Sequence, residues 1–487
     1  MENIDLLITN ANILTLDDQN KRACSLAVSS GKIINIWKEK EPPISISLNT
    51  EVINLQGKTL LPGFIDTHNH ILMYSLNKGK VDCSSPLNRD IDDLLRRIHA
   101  KAQNTPKEEW ILGFGYDDTL LEDKRHPTRE ELDSVAPDHP VFIHHISAHF
   151  AVVNSKALEL AGIQEDIQDP QGGSFGRDDN GRLNGLLIEI PAMEYIQNKI
   201  PVPTIEEMVK MLGLGSQDYL SHGITTNTDA AVGLAFGEKE FDVHIQAARN
   251  GINPMRSQLM IMHTLLRKDE RFGNYDAKKL DKEIIQLSKG KARLDSAKMF
   301  QDGSIQGLTG ALREPYYNNP NVSGGLIHNQ NEFNEEILDL HQRGFRLAIH
   351  GNGDRAIGSI LTGYDYALEK VPKIDHRHRI EHVQTATNDD LDLMKKLGVA
   401  GSVFINHVYY WGDRHKRLFL GPDRAYRIDP LADMAERNLL FTLHSDCPVT
   451  PISPLFSVWA AVNRITKGGE VLGPSQKIDV ITAPKIN

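Results

Sequence analysis

From residue 61 onward, short apolar runs alternate with longer amphipathic runs. The apolar runs are rich in Ile, Leu, Val and Ala, and several of them end at a histidine or an aspartate. Their length and composition are typical of buried strands. Most are separated by amphipathic stretches such as NEFNEEILDLHQRG and NDDLDLMKKLG, each of which stops at a glycine, a common end of a helix. This alternation predicts βα units and a parallel sheet.

The pattern predicts eight strands of this kind. Eight parallel strands connected by helices make a (β/α)8 barrel, which belongs to the α/β class. The predicted strands are Gly63–His70, Gly223–Thr228, Met255–His263, Ser296–Asp302, Arg346–His350, His378–His382, Val399–Ile405 and Leu440–Asp446.

Two segments depart from the barrel pattern. Residues 1–60 contain β-rich runs such as LLITNANILTL and SLAVSSGKIINIW, which predict part of a small β-sandwich. The interval between the first two barrel strands is too long for a loop, so we expect an inserted subdomain there. The predicted division is 1–60 for the sandwich portion, 61–74 and 216–470 for the barrel, 75–215 for the insertion and 471–487 for a C-terminal tail.

Composition narrows the class of partner. The 487 residues are 40% hydrophobic and carry a net charge of -11, so a large core is available. A nucleic-acid partner is excluded, because neutralising phosphates needs clustered Lys and Arg. The chain shows no signal-peptide pattern and no apolar run near the roughly 18 residues that span a bilayer. We therefore expect a small-molecule substrate and no membrane partner, with a homo-oligomer left open.

Cysteine usage indicates the compartment. The chain has three cysteines that lie far apart and form no CxxC motif, namely Cys24, Cys83 and Cys447. This spacing fits a reducing compartment and offers no disulfide framework. A cytoplasmic location is expected.

The first barrel strand ends in a pair of histidines. In FIDTHNH, His68 and His70 are two residues apart, so both face the same side of a strand. In a barrel, functional side chains gather at the carboxyl ends of the strands, where this pair lies. Alone, the pair fits surface or hydrogen-bonded histidines as well as metal ligands.

The same placement recurs on other strands. RLAIH ends in His350, RIEH ends in His382, and LLFTLHSD ends in Asp446. Lys298 lies inside an apolar strand, where a lone ammonium is costly unless it is paired, for example with Asp302. Imidazole and carboxylate are ligands that suit zinc and related divalent metals. The combination predicts a metal site at one rim of the barrel.

These residues resemble the pattern of the amidohydrolase superfamily, with HxH on strand one, Lys on strand four, His on strands five and six, and Asp on strand eight. Longer stretches are similar to the amidohydrolase-3-type branch, which includes N-substituted formamide deformylase and many metal-dependent hydrolases. The matching stretches are LPGFIDTHNH, GITTNTDA, AKMFQDGSIQGLTGAL, HGNGDRAI, RIEHVQ and HSDCPVTPISPL. The resemblance extends over almost the whole chain, including the insertion.

The resemblance implies a ligand set and an activity. His68 and His70 would hold one metal with Asp446, and His350 and His382 a second. Lys298, carboxylated by carbon dioxide, would bridge the two ions as an anion. One or two divalent metals, with zinc expected, would lower the pKa of water so that hydroxide is available near neutral pH, while Asp446 moves its proton. The implied reaction is hydrolysis of an amide-type C–N bond in an N-acyl or N-formyl amine.

Four further residues are candidates for contacts to substrate or to the ligands, each with a structural alternative. His149 in the insertion either reaches the substrate or is a structural histidine. Arg379 either orients a neighbouring group or closes a salt bridge, and His407 is a candidate for hydrogen bonding behind a ligand. Asp302 follows a strand at a glycine-rich turn, where an aspartate often caps the backbone.

The C-terminal segment departs from the branch that the chain resembles. Its members complete the small sandwich after the barrel, whereas GPSQKIDVITAPKIN lacks the expected Gly- and Asp-containing strands. An incomplete N-terminal sheet with exposed edges is therefore expected. This departure leaves a second hypothesis, a weakly active or inactive regulatory or binding protein on the same scaffold.

Overall fold

The computed structural model describes residues 4–17, 19, 21–118, 120–146, 150–170, 173–480 and 482–485. Its centre is an eight-stranded, entirely parallel sheet in which spatial order equals chain order, and it confirms the predicted barrel. We number the strands 1 to 8; they are Phe64–Asn69, Ile224–Val232, Arg256–Met262, Ala292–Phe300, Leu347–Gly351, Arg379–His382, Ala400–Val403 and Phe441–Leu443.

The largest differences from the predicted strand ends are at strands 2, 4 and 8. Strand 2 continues to Val232, four residues beyond the predicted end at Thr228. Strand 4 begins at Ala292, four positions before the predicted start, because its polar residues find partners: Arg293 pairs with Asp281. Strand 8 ends at Leu443, so Asp446 lies in the turn beyond it, with a left-handed φ of 53°. Apolar patterning marks buried residues and not the backbone pairing that begins and ends a strand. Strand 4 pairs beyond its apolar run, whereas the pairing of strand 8 stops within the predicted run.

The seam between strands 8 and 1 is joined by side chains. The hydroxyls of Thr67 on strand 1 and Thr442 on strand 8 lie 2.9 Å apart. This contact brings the beginning and the end of the barrel sequence together, and it nearly closes the sheet.

Helices surround the barrel and bury one apolar face against it. The two predicted amphipathic stretches form Gln330–Gln342 and Asn388–Leu397, and the second ends at Gly398 with a left-handed φ of 73°. The outer helices are Glu238–Arg249, Ala277–Leu287, Gln330–Gln342, Asp354–Lys370, Asn388–Leu397, His407–Arg414, Gly421–Ala425, Leu431–Glu436 and Pro454–Asn463, with helical turns at His263–Leu266, His415–Phe419, Pro474–Gln476 and Thr482–Lys485. Their buried residues and the strands share one large hydrophobic core.

A second sheet lies between barrel strands 1 and 2 in the sequence. It has six strands, in spatial order Ser174–Arg177, Leu183–Ile188, Phe150–Val153, Val141–His145, Ile111–Tyr116 and Val81–Asp82. The helices of this part are Ile71–Asn77, Ile91–Gln103, Arg129–Val135, Ser155–Ala161, Glu189–Gln197 and Ile205–Ser221. The predicted boundaries of the insertion stay a prediction.

Two small sheets form the N-terminal part. The first contains Lys32–Trp37, Ser25–Ser29, Leu6–Thr9 and Glu51–Asn54 in spatial order, and the second contains Arg22–Ala23, Asn12–Leu14 and Thr59–Leu60. The edge strand Glu51–Asn54 is exposed along its length, and the Val52 side chain is 49% exposed. No helix within the described residues has the length and apolar character needed to cross a membrane.

Candidate metal centre

The first group of donors joins strand 1 to the turn after strand 8. His68 lies on strand 1, His70 lies one residue past its end at the N-cap of the helix Ile71–Asn77, and Asp446 lies in the left-handed turn that faces them. The Nε2 atoms of the two histidines lie 3.3 and 3.2 Å from Oδ1 of Asp446. Although burial opposes ionisation, the two imidazoles hold the pKa of the Asp446 carboxyl well below its usual range. A carboxylate and two ring nitrogens therefore converge here.

The second group lies at the ends of strands 5 and 6. Nδ1 of His350 and Nε2 of His382 are 2.9 Å apart, so these two nitrogens face each other. Burial, together with the charge of Lys298, lowers the pKa of His350 to about 3. Both rings are consequently neutral near pH 7, which is the form that ligates metals.

Lys298 lies beside this second group with its charge uncompensated by a close partner. Its side chain is fully buried, and among the described residues its Nζ has no hydrogen-bond partner. Its Nζ lies 4.7 Å from the centroid of the Phe300 ring. Burial lowers the pKa of Lys298 to about 8, against the opposing charges of Glu381 and Asp446. The predicted alternative, an ion pair with Asp302, is not formed.

This donor set fits a divalent metal. Besides Lys298 Nζ, the buried Oδ1 of Asp446 has no well-aligned hydrogen bond within the described part of the chain. At this rim of the barrel, two triads have all their donor atoms within 4.8 Å of one another, namely His68–His70–Asp446 and His68–His382–His444. Nitrogen and carboxylate donors at this spacing are the ligands that zinc and related ions prefer.

The rim of the centre has an open side. The side chains of His70 and His350 are each 14% exposed, whereas His68 and His382 are buried. Solvent therefore reaches the centre at His70 and His350, and not at His68 and His382.

A buried charge chain behind His68 was not identified from the sequence. Nδ1 of His68 donates to Glu381, and Nε of Arg379 donates to the other oxygen of that carboxylate. Arg379 also lies 3.3 Å from Asp295 of strand 4. Arg379 thus closes salt bridges, and through Glu381 it fixes His68 with Nε2 towards the centre. The available signal was the two-residue spacing of Arg379 and Glu381, which places both inside the barrel.

His444, like His407, is a histidine near a strand end for which the sequence suggested hydrogen bonding behind a ligand. It lies one position beyond strand 8, and its ring stacks on His68 with a centroid distance of 4.6 Å and an interplanar angle of 19°. Its Nε2 lies 3.2 Å from Nδ1 of His382. His444 therefore contacts one histidine from each donor group.

Asp302 acts on the backbone rather than on Lys298. Its carboxylate accepts hydrogen bonds from the N–H groups of Ala311, Asn352 and Gly353 at 2.8 to 3.0 Å. These bonds attach the loop after strand 4 to the end of strand 5, next to His350. Burial raises the pKa of this carboxyl to about 7 in spite of the three donors.

The attachment of that loop depends on Gly353. A Cβ atom at this position would lie 2.0 Å from the backbone oxygen of Ala311, which cannot move without breaking the loop contact. Gly353→Ala should therefore lower the free energy of unfolding by about 1–3 kcal/mol, as overpacking commonly does. Denaturant titration of the metal-free protein measures this. Gly325→Ala is the control, because a Cβ there meets nothing within 4 Å and the backbone is not left-handed; equal losses in the two variants would contradict the clash.

The remaining candidates are placed differently. His407 is 2% exposed, its Nδ1 lies 3.6 Å from Asp429, and its ring is 6.4 Å from that of His382. It therefore lies behind the second donor group. His149 lies outside the described residues.

Comparison with known proteins shows the family of the chain. The sequence profile described as the amidohydrolase family matches residues 51–486. The N-substituted formamide deformylase of Arthrobacter pascens is 29% identical over 480 residues, which cover 97% of this chain and 86% of that protein. A putative amidohydrolase of Bacillus subtilis is 28% identical over 436 residues, covering 88% and 78%.

Solved structures of metal-dependent hydrolases share the fold of this chain. An uncharacterised metal-dependent hydrolase from Pyrococcus horikoshii superimposes with a TM-score of 0.76 at 25% identity, covering 98% of this chain and 90% of that one. Its counterpart from Pyrococcus furiosus, at 24% identity and a TM-score of 0.74, shares the fold. The chain therefore belongs to the amidohydrolase family and is a metal-dependent hydrolase of carbon–nitrogen bonds other than peptide bonds.

Proposed function

We propose that this hydrolase cleaves the amide C–N bond of N-formyl or N-acyl amines. The observation that carries the proposal is the convergence of His68, His70 and Asp446 next to His350, His382 and the buried Lys298. The similarity to an N-substituted formamide deformylase supports the substrate class. The alternative of a regulatory or binding protein is not favoured, because the predicted donors converge and most of the chain matches a hydrolase family.

Each side chain has a defined task in this proposal. His68, His70 and Asp446 hold one divalent metal, and His350 and His382 hold a second, with zinc as the expected ion. Bound there, a divalent metal supplies Lewis-acid polarisation of the substrate carbonyl and lowers the pKa of water. Asp446 accepts the proton of the attacking water and delivers it to the leaving amine.

Lys298 is proposed to be carboxylated by carbon dioxide. Its Nζ is buried without a hydrogen-bond partner among the described residues, and its lowered pKa makes the neutral, nucleophilic amine accessible. Carboxylation converts an uncompensated cation into an anion between the two donor groups. This removes the energetic cost of the buried ammonium.

The setting of the reaction is also a proposal. A small-molecule substrate in the cytoplasm is supported by the net charge of -11 and by three cysteines that are all free thiols. A homo-oligomer is compatible with the exposed edge strand Glu51–Asn54.

Metal content tests the proposal directly. Protein purified with zinc and bicarbonate should contain about one to two metal ions per chain, and His68→Ala should reduce this number, because the variant loses a donor shared by both triads. Hydrolysis of N-formyl and N-acyl amines should fall with the metal. Elemental analysis and an amine-release assay measure the two quantities.

His99→Ala is the matched control for this experiment. His99 is exposed on the helix Ile91–Gln103, in the part of the sequence inserted between barrel strands 1 and 2. The His99→Ala substitution should leave metal content and turnover unchanged. Folded wild-type protein that binds no metal would contradict the proposed function.

A further inference from the structure

A chain of buried side chains leads from strand 7 to the second donor group. Oγ of Ser402 lies 2.9 Å from Nδ1 of His444, and Nε2 of His444 lies 3.2 Å from Nδ1 of His382. The exposed fractions of the three residues are 0, 1 and 3%. Water therefore does not compete for these hydrogen bonds, and each ring nitrogen is satisfied by its neighbour.

The geometry gives the chain a direction. Nε2 of His382 faces Nδ1 of His350, so this is the nitrogen that points into the second donor group. A neutral imidazole carries one N–H, and placing it on Nδ1 of His382 leaves Nε2 with a free lone pair. Nδ1–H of His382 then donates to Nε2 of His444. Nδ1–H of His444 in turn donates to Ser402.

The ring of His444 is held in place on both faces. It stacks between His68, at 4.6 Å, and Phe404, at 5.4 Å, with an interplanar angle of 19° in each case. Ser402 is also fixed, because Oγ1 of Thr442 donates to its hydroxyl at 3.4 Å. The chain is thus anchored to the barrel seam, where Thr442 meets Thr67.

We propose that Ser402 and His444 form a hydrogen-bond relay that sets the tautomer and orientation of His382. The inference rests on the proposed function, since it assigns the relay to a ligand of the metal centre. His444 is a positioning residue here. It acts through His382 and leaves the number of ligands unchanged. Partners that orient a ligating histidine typically raise metal affinity 10- to 100-fold.

Direct ligation by His444 is the competing arrangement. Its donor lies within 4.8 Å of those of His68 and His382, so distance alone permits an ion among the three. If that ion were bound by Nδ1 of His382, the nitrogen that lies 3.2 Å from His444, this nitrogen would need to carry the lone pair. Nε2 of His382 would then carry the proton and face His350, which would remove His382 from the second donor group. The two arrangements predict different effects of the variants below.

The test combines two deletions, one rescue and one control. Ser402→Ala removes the final acceptor, and His444→Phe keeps the ring stack without any nitrogen. His444→Gln restores an acceptor for His382 but is a poor metal ligand. Ser257→Ala is the control, because Ser257 is a buried serine of strand 3 whose hydroxyl contacts Asn253 away from the centre.

Zinc affinity, measured by competition with a chromogenic chelator, and the visible spectrum of the cobalt-loaded protein are the readouts. We expect Ser402→Ala and His444→Phe each to weaken binding about 10- to 100-fold with unchanged stoichiometry. The double variant should be no weaker than the worse single variant, since the two groups act in series. His444→Gln should recover most of the affinity and the wild-type spectrum, and Ser257→Ala should match wild type.

Three results would overturn the relay. Unchanged zinc affinity in Ser402→Ala overturns the relay but not the proposed function, provided that wild type binds metal. Loss of one full metal ion per chain in both His444 variants would show that His444 is itself a metal ligand. Wild-type protein that binds no metal overturns the relay and the proposed function together. The melting temperature of each metal-free variant, compared with wild type, identifies any loss that comes from folding.

Discussion

Asp446→Asn should lower kcat for amide hydrolysis by roughly 10²- to 10⁴-fold, the usual contribution of a positioned acid–base group. Asparagine keeps the size of the side chain and one oxygen towards His68 and His70. It cannot accept the proton of the attacking water, and therefore cannot pass a proton to the leaving amine. The rate is measured per metal-loaded chain, by amine release and elemental analysis of the same sample, because Asp446 is also a proposed ligand.

Asp281→Asn is the control for this substitution. Asp281 lies on the outer helix Ala277–Leu287 and pairs with Arg293 of strand 4. Neutralising Asp281 should leave kcat unchanged. If metal-loaded Asp446→Asn turns over within about tenfold of wild type, the proton acceptor is another group.

Arg379→Met should lower the free energy of unfolding of the metal-free protein by about 3–5 kcal/mol. Arg379 is 8% exposed and is paired with two carboxylates, Glu381 and Asp295, that are buried as well. Methionine keeps much of the volume, so the loss arises from the buried Glu381 carboxylate, which loses its guanidinium partner, while Asp295 keeps Arg346 at 3.1 Å. The midpoint and slope of a urea titration give the change.

Arg377→Met tests whether burial causes the effect. Arg377 lies two residues earlier and pairs only with the exposed Asp375 among the described residues, so its loss should leave stability unchanged. Equal destabilisation by the two substitutions would show that Arg379 contributes through general charge and not through its buried partners.

The positions of the candidate ligands could be predicted because their signals are local. A histidine or aspartate at the end of an apolar strand can be read from a few residues, as with His350 and His382. The barrel itself followed from the alternation of strands and helices. The two amphipathic stretches also formed helices, and both have their N-cap side chains bonded to the backbone: Asn329 and Thr387.

The residues that support the ligands were not predictable in this way. Glu381 and Ser402 acquire their roles only through contacts between strands, here with His68 and His444. Such contacts depend on the register of neighbouring strands, which no short window of sequence contains. The predicted start of strand 4 was wrong for the same reason, because the partner of Arg293 lies on a neighbouring helix.

The seam at Thr67 and Thr442 also has a consequence for the order of folding. Strand 1 and the turn after strand 8 supply His68 and Asp446, so the first donor group exists only after the two ends of the barrel sequence meet. Contacts between distant parts of a chain form late, because their loop-closure entropy must be overcome first. A nascent chain therefore cannot complete this group until the eighth strand has left the ribosome. Metal loading becomes a marker of a barrel whose synthesis has passed that point.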